Sequence, residues 1–161
     1  KEQRQLKKEM KKEQQQKEAE QKAVIINLMM EHRSFVLEAD RLRDSKGQQI
    51  NVSSMINFVA VDSLHGVIQV GSDLYVGLNG VGGITVEGPV SNYKSTFNEK
   101  NGTWSITYNI RATTGTYDVR MSVFGEGRAE ATVSSNWPGR ITYSGQLYPP
   151  GVSKVYKGTS Y

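Results

Sequence analysis

The residues that could carry acid–base or metal chemistry are few and scattered in this sequence. Its two histidines, His32 and His65, are far apart along the chain, and the carboxylates Asp40, Asp62 and Asp73 show no paired spacing. Hydrolytic catalysis needs such groups beside a nucleophile, and no Gly-x-Ser-x-Gly elbow occurs. We therefore predict no catalytic residue and no metal site, and keep a hydrolytic enzyme that uses these five residues only as a third hypothesis.

The absence of cysteine removes a further set of chemistries. None of the 161 residues is a cysteine, which excludes a disulfide scaffold, a cysteine nucleophile and a thiolate zinc site. The chain length predicts one domain with a modest core. We predict that the protein works without a cofactor.

Glycine is concentrated between residues 71 and 88, with Gly80, Gly82 and Gly83 at the centre of the run. A phosphate-binding loop would have Gly-Lys-Ser/Thr at the start of a helix, whereas here the β-branched residues 84–86 follow and predict a strand. The run is therefore interpreted as backbone geometry, such as a bulge or a close approach of two segments. A binding loop is the alternative.

Aromatic side chains are the other candidates for binding. Trp137 and Tyr148 lie near turns that contain proline, which makes them candidates for an exposed contact patch. The remaining large aromatics fall mostly on the apolar faces of predicted strands, where we expect core packing, with a ligand pocket as the alternative. These are Tyr93, Phe97, Trp104, Tyr108, Tyr117 and Tyr143.

The positive charge of the chain belongs to its N-terminal arm. Of the formal net charge of +4, residues 1–22 carry +3 and residues 23–161 carry +1. The arm is rich in Lys, Glu, Gln and Ala, which favour a helix, and its charges alternate in sign. A nucleic-acid surface needs a stripe of one sign with aromatic platforms, so we predict no nucleic-acid partner. We expect a fraying helix or a flexible spacer.

A short apolar run, residues 23–30, follows the arm. It is too short to span a bilayer, and the acidic residues before it are not those of a signal peptide. We expect a helical turn that is buried against the body through Val24, Leu28 and Met29, which share a face by helical spacing. A helix that binds a membrane surface or a partner is the alternative.

From Phe35 onward the dominant period of hydrophobicity is two. In residues 103–111 the apolar side chains of Trp104, Ile106, Tyr108 and Ile110 alternate with polar ones. Similar segments, the earlier ones less regular, are separated by turn residues at 35–42, 55–61, 67–76, 84–97, 117–123, 128–133 and 140–144.

This one-sided alternation is typical of antiparallel strands with one face in water. We predict an all-β, mainly antiparallel meander of about eight strands, closed as a barrel or folded as a sandwich, after a charged N-terminal α-helix. Residues 1–33 are predicted to form the helical arm with its short apolar helix, and residues 34–161 the antiparallel β domain.

Several segments together resemble a known family. They are residues 79–93 (NGVGGITVEGPVSNY), 139–149 (GRITYSGQLYP) with 153–158 (SKVYKG), and 35–40 (FVLEAD) after a charged helix. The chain resembles the domain-of-unknown-function family numbered 4251 of Bacteroidetes bacteria over nearly its whole length. The resemblance implies an exported protein, often a lipoprotein with a lipidated cysteine before a charged helix, and it implies no established activity.

Two expectations about cellular context accompany this resemblance. The chain begins at Lys1 without Met, which fits a mature exported protein of the periplasm or outer membrane with a lipid anchor upstream of residue 1. Residues 62–64, Asp-Ser-Leu, match the O-glycosylation pattern of exported Bacteroidetes proteins. Ser63 is therefore a candidate modification site, and we expect it in an exposed turn.

Two functional hypotheses remain ahead of an enzyme. The first is a non-catalytic envelope module, held off a membrane by the helical arm, that binds an unknown protein or a surface glycan. The second is a lipocalin-like carrier that holds a small apolar ligand inside a barrel, which would require an internal cavity.

Overall fold

The computed structural model describes residues 1–72, 83–135, 139–158 and 160. The chain begins with one long helix, α1 (Glu2–His32), and continues as strands. The strands are β1 (Ser34–Arg43), β2 (Gln49–Asn51), β3 (Phe58–Asp62), β4 (His65–Val70), β5 (Ile84–Asn98), β6 (Thr103–Ala112), β7 (Gly115–Val123), β8 (Arg128–Ser134) and β9 (Arg140–Tyr148).

The strands form a closed antiparallel barrel, which confirms the predicted fold class and its barrel form and excludes the sandwich. β1 and β3 to β9 pair in sequence order, and β9 pairs back with β1 to close an eight-stranded ring. The short strand β2 pairs with the end of β1 outside the ring. Each of the eight predicted segments overlaps one strand of this ring, whereas β2 was not predicted.

The barrel interior follows from the alternation of side chains along each strand. In β7, for example, Val119, Met121 and Val123 are buried, whereas Asp118 and Arg120 are exposed. Burial of each such apolar side chain stabilises the fold by about 1.5–3 kcal/mol. The aromatic side chains Tyr108, Tyr117 and Tyr143 belong to the same core, as expected.

Two predicted segments include described residues that are not part of a strand. The segment predicted from residue 55 becomes a strand only at Phe58, because residues 54–56 form a turn and Met55 is exposed. The segment predicted over residues 67–76 is a strand to Val70, and residues 73–76 lie outside the described part of the chain.

The helix α1 covers one end of the barrel. It is a single helix from Glu2 to His32, and Arg33 ends it in the left-handed conformation at φ 51°. Its buried residues, Ile26, Met29 and Met30, join the barrel core. No helix in the described residues has an apolar stretch that would reach across a bilayer.

The predicted packing face of the helix was wrong in part. Met29 is buried as expected, but Val24 and Leu28 are 58% and 48% exposed. An α-helix advances 100° per residue, so a face centred on Ile26, Met29 and Met30 turns Val24 and Leu28 away from the barrel. The apolar run therefore has one buried side and one exposed side.

After β9, residues 149–158 form a C-terminal strap along the outside of the barrel. The buried side chain of Gln69 on β4 donates to the carbonyl of Tyr156 at 2.8 Å and accepts from the backbone N–H of Gly158 at 2.7 Å. Val155 packs on a second, small apolar cluster on the outer wall, which contains Val36, Phe58 and Val67. The strap therefore shields outward-facing side chains that would otherwise contact water.

Candidate ligand cavity

An apolar cavity lies at the end of the barrel opposite α1. Antiparallel pairing brings the end of β4, the start of β5, the end of β8 and the start of β9 to this mouth. The mouth cavity has a volume of about 320 Å³. Its aliphatic lining comes from strands β4, β5, β8 and β9: Ile68, Val70, Ile84, Val86, Val133 and Ile141.

Exposure increases from the base of the cavity to its rim. Val86 and Tyr143 are buried at 3% and 1% exposed, whereas Ile84 and Ile141 are 49% and 38% exposed. Ile84 shares a strand face with Val86, and Ile141 shares one with Tyr143, so both isoleucines belong to the interior face. Their exposure therefore marks an apolar lining that the described residues leave uncovered.

Tyr143 contributes an aromatic wall near the base. Its hydroxyl donates a hydrogen bond to the backbone carbonyl of Gln69 at 3.2 Å, from β9 to β4. Burial raises the pKa of Tyr143 above its ordinary value, so the phenol stays neutral at physiological pH. The base of the cavity is thus apolar and uncharged.

The rim of the cavity is polar. Its polar residues are Asp44, Ser45, Ser134, Ser135 and Arg140. The carboxylate of Asp44 accepts hydrogen bonds from the backbone N–H groups of Lys46 and Gln48, both at 2.9 Å, and so fixes its own turn. Arg140 forms no ion pair with any residue that the structure describes.

A polar groove of about 710 Å³ lies on the outer wall beside the mouth. Ser134 and Arg140 line both the groove and the mouth cavity. The other polar side chains of the groove come from β5 to β8: Asn92, Lys94, Thr107, Asn109, Asp118, Arg120 and Thr132.

A bulge in β5 helps to shape this outer groove. Asn92 and Tyr93 together lie opposite Tyr108 on β6, and Asn92 has a positive φ of 55°. The side-chain amide of Asn92 donates to that of Asn109 at 2.9 Å, and Asn109 donates to the carboxylate of Asp118. These bonds order one row of the groove across three strands.

The glycine-rich run was predicted to reflect backbone geometry, and Gly83 can be assessed. A Cβ at Gly83 would lie 2.1 Å from the backbone oxygen of Val70, so only glycine fits this close approach. Ile84, which follows it, lines the mouth cavity. Gly80 and Gly82 lie outside the described residues.

The other predicted contact and modification residues lie away from the cavity or are not described. Tyr148 ends β9 opposite Val36, at the helix-covered end of the barrel, and is half-buried. Ser63 lies in the exposed turn between β3 and β4 with φ 57°, as expected for its position. Trp137 lies outside the described residues.

Of the five residues considered for hydrolysis, two form contacts on the barrel surface. Asp40 pairs with Arg128 at 2.9 Å on the barrel surface, and His65 lies 3.5 Å from Glu87. His32 ends α1, and Asp73 lies outside the described residues. Within the described ranges, no three His, Asp or Glu side chains are grouped so that they could hold a metal ion.

Phe97 and Trp104 lie beside the helix rather than in the cavity. Their rings are 5.1 Å apart, and together with Met30 they border a shallow groove between α1 and the β5–β6 pair. Phe97 is exposed, so its expected core position was wrong. The rings of Tyr93 and Tyr108 are stacked, with their centroids 5.9 Å apart. The guanidinium carbon of Arg33 lies over the Tyr93 ring, 4.7 Å from its centroid.

The residues that define the cavity were not singled out from the sequence. In the alternating pattern, Ile84 and Ile141 occupy apolar positions like those of ordinary core residues. Arg140 occupies a polar position like those on a solvated strand face. The available signal was the clustering of apolar residues at strand ends that flank glycine-rich or proline-containing turns. That signal could have indicated a mouth only once the strand order was known.

Comparison with known proteins gives a consistent assignment. The family model described as "Domain of unknown function (DUF4251)" matches residues 13–147. None of the curated proteins compared with the chain matches it. A crystal structure of a DUF4251 family protein from Bacteroides eggerthii is similar, with a TM-score of 0.70 and 30% sequence identity over 87% of this chain and 95% of that chain. This chain belongs to the DUF4251 family, for which no specific function is known.

Proposed function

We propose that this protein is a non-catalytic binding protein that holds a small, mainly apolar molecule in the mouth cavity. One observation carries the proposal: Ile84 and Ile141 face the barrel interior, yet they are 49% and 38% exposed. Apolar surface in contact with water is unfavourable, and its burial by a ligand stabilises the complex in proportion to the area covered.

The size of the cavity limits the ligand. Its volume of about 320 Å³ lies at the lower end of the roughly 300–1,000 Å³ range of small-molecule sites. It is about twice the roughly 150 Å³ cavity that holds a benzene molecule. With roughly 30 Å³ for each water-sized group, the buried part of the ligand has about ten non-hydrogen atoms.

The chemistry of the lining supports binding rather than catalysis. The rim offers serine hydroxyls at Ser45 and Ser134, but no histidine is among the described residues that line the cavity. A serine nucleophile needs a neighbouring base to activate it. The uncharged base formed by Val86 and Tyr143 provides shape and apolar contact instead.

A protein-binding module is the second candidate, and the exposed side of α1 favours it. Val24, Ile25 and Leu28 present apolar side chains to water on the helix. Such side chains are typical of a surface that another protein covers. In this proposal the partner is a protein or surface glycan of the cell envelope, and the helix holds the barrel away from a membrane.

We also propose an exported location, the periplasm or outer membrane. Support comes from the resemblance to a family whose members look like exported lipoproteins, and from the related structure from a Bacteroides species. Cell fractionation with an antibody to the barrel tests this part of the proposal. A signal confined to the cytoplasmic fraction would overturn it.

Titration calorimetry with 1-octanol tests the cavity. The probe has nine non-hydrogen atoms and suits the cavity volume. We expect binding to the full chain, loss of binding in Ile141→Trp, which fills the cavity, and unchanged binding in Ile50→Trp. Ile50 is an exposed isoleucine on β2 that does not line the cavity, so it is a matched control for adding an indole.

Two results would contradict the carrier proposal. One is an absence of octanol binding to the full chain after extraction with organic solvent to remove any resident molecule. The other is equal affinity of the two tryptophan variants, because octanol would then bind elsewhere.

A further inference from the structure

The mouth cavity and the outer polar groove are joined at one pair of residues. Ser134 on β8 and Arg140 on β9 are directly opposite in the strand ladder, and each lines both depressions. A molecule seated in the cavity can therefore reach the groove across the rim without leaving the protein surface.

The groove is built from two rows of outward-facing side chains. The row nearer the mouth follows the register partners Asn109, Asp118, Ser134 and Arg140 across β6 to β9. The next row follows Lys94, Thr107, Arg120 and Thr132 across β5 to β8. Neighbouring strands in a sheet are about 4.8 Å apart, so each row is a continuous line of polar groups.

The charge of the groove is positive. Lys94, Arg120 and Arg140 contribute three cations, and Asp118 is the one acidic residue among the described lining. The carboxylate of Asp118 accepts a hydrogen bond from Asn109. In the part of the chain that the structure describes, none of the three cations forms an ion pair.

Cations that form no ion pair with the described residues, placed around a polar concavity, attract an anion. Arginine in particular binds a carboxylate or phosphate through two parallel N–H donors. The hydroxyls of Thr107 and Ser134 lie beside the cations Arg120 and Arg140 in the rows and offer further donors. The groove thus has the chemistry of a site for an anionic head group.

We infer that the ligand is an amphipathic anion, with its apolar part in the mouth cavity and its carboxylate or phosphate in the outer groove at Arg140. This inference rests on the proposed binding function and specifies the class of ligand. An apolar cavity alone would accept a neutral molecule equally well. The joined positive groove adds a preference for a negative charge at one end.

Calorimetry with matched eight-carbon probes tests the preference. Octanoate and octyl phosphate carry an anionic head, 1-octanol a neutral one and octyltrimethylammonium a cationic one. We expect the anionic probes to bind about tenfold or more tightly than octanol, as for a charge-assisted contact. Added salt should weaken octanoate binding and leave octanol binding unchanged, because salt screens only the charged contact.

Substitutions identify the contact. Arg140→Gln should weaken octanoate binding about tenfold, a larger loss than the one it causes for octanol, because only octanoate has an anionic head group. Arg128→Gln is the control, because it removes the same charge from the far end of the β8–β9 ladder, where its ion pair with Asp40 is exposed. Arg128→Gln should bind both probes as the unaltered chain does.

The outcomes separate this inference from the proposed function. Equal affinity for octanol, octanoate and octyltrimethylammonium would overturn the anionic head group and leave the carrier proposal standing. Inorganic phosphate that binds as tightly as octyl phosphate would show a site for a free anion and also overturn the inference. No binding of any eight-carbon probe would overturn the carrier proposal itself.

Discussion

Tyr143 on β9 donates a hydrogen bond from its hydroxyl to the backbone carbonyl of Gln69 on β4, at 3.2 Å. In the closed ring, β1 and β3 lie between these two strands, so the side chain bridges strands that are not neighbours. The bond fixes the ring of Tyr143 at the base of the mouth cavity. The cavity therefore has a wall that is held in place by the opposite side of the barrel.

Tyr143→Phe removes this bond and keeps the ring. We expect the free energy of unfolding to fall by about 1 kcal/mol, the typical contribution of a neutral hydrogen bond. Chemical denaturation measures this loss. Tyr156→Phe is the control, because Tyr156 is an exposed residue and its loss of a hydroxyl should leave stability unchanged. Equal stability of both variants would show that the bond contributes nothing.

Ile26 and Leu28 test which side of α1 packs on the barrel. Ile26 is 5% exposed and joins the core, whereas Leu28 is largely exposed. We expect Ile26→Ala to cost about 2–4 kcal/mol through lost burial and a cavity, and Leu28→Ala to cost less than about 0.5 kcal/mol. Thermal unfolding of the two variants measures the difference. A larger loss for Leu28→Ala would contradict the observed packing.

The sequence predicted the strands well because alternation is a local property. The period of two in β6 and β7 depends only on neighbouring residues, so their apolar faces could be identified directly. The packed side of the helix could not be identified in this way. The candidates were the side with Val24 and Leu28 and the side with Ile26 and Met30. Both sides of the apolar run have helical spacing, and only the position of the barrel decides between them.

The cavity could not be predicted from the sequence for a related reason. Ile84 and Ile141 look like core residues, and whether other side chains cover them depends on strand order and closure. The pairing of β1 with β9 joins residues about a hundred positions apart, and no local pattern encodes it. The two rows of the outer groove likewise exist only through the register of five strands.

Gly145 allows β1 and β9 to pair closely where the barrel closes. It lies opposite Ala39, and a Cβ added there would be 1.8 Å from the backbone oxygen of Glu38. Because backbone cannot move aside cheaply, we expect Gly145→Ala to destabilise the fold by about 3 kcal/mol or more. Gly125→Ala is the matched control, since nothing lies within 4 Å of its added Cβ. Denaturation midpoints that agree for both variants would contradict the close approach.

Gln69 attaches the C-terminal strap to β4 through two hydrogen bonds. Its amide donates to the carbonyls of Ile56 and Tyr156, and its oxygen accepts from Thr85 and Gly158. Gln69→Leu keeps the volume but removes these four hydrogen bonds, at a cost of about 1–3 kcal/mol or more. We expect faster hydrogen exchange in residues 149–158 than in the unaltered chain.

Gln49→Leu is the control for this substitution, because Gln49 is exposed on β2. It should leave the exchange of the strap unchanged. A strap that stays equally protected in Gln69→Leu would show that its other contacts hold it without the amide, among them the packing of Val155 and the bond from Tyr156 N–H to the Met55 carbonyl.

Glu87 makes the strap sensitive to acid. The hydrogen bond from Lys157 lowers the pKa of the Glu87 carboxyl below its ordinary value of 4.5, against the opposing effect of partial burial. A carboxyl whose pKa is lower in the folded state stabilises the fold above its unfolded pKa. That contribution to stability is lost as the pH falls below about 4.5 towards the pKa of Glu87 in the folded state. We therefore expect the unaltered chain to lose more stability than Glu87→Gln between pH 6 and pH 3.

Two lysines of the strap separate the contact with Glu87 from a general effect of charge. Lys157→Met removes the partner of Glu87 and should flatten the pH dependence as Glu87→Gln does. Lys154→Met removes an equal charge, but among the described residues the Lys154 side chain forms no ion pair, so its pH profile should match that of the unaltered chain. Thermal unfolding at several pH values gives all four profiles. If Lys157→Met kept the full acid sensitivity, the contact between Lys157 and Glu87 would not be its source.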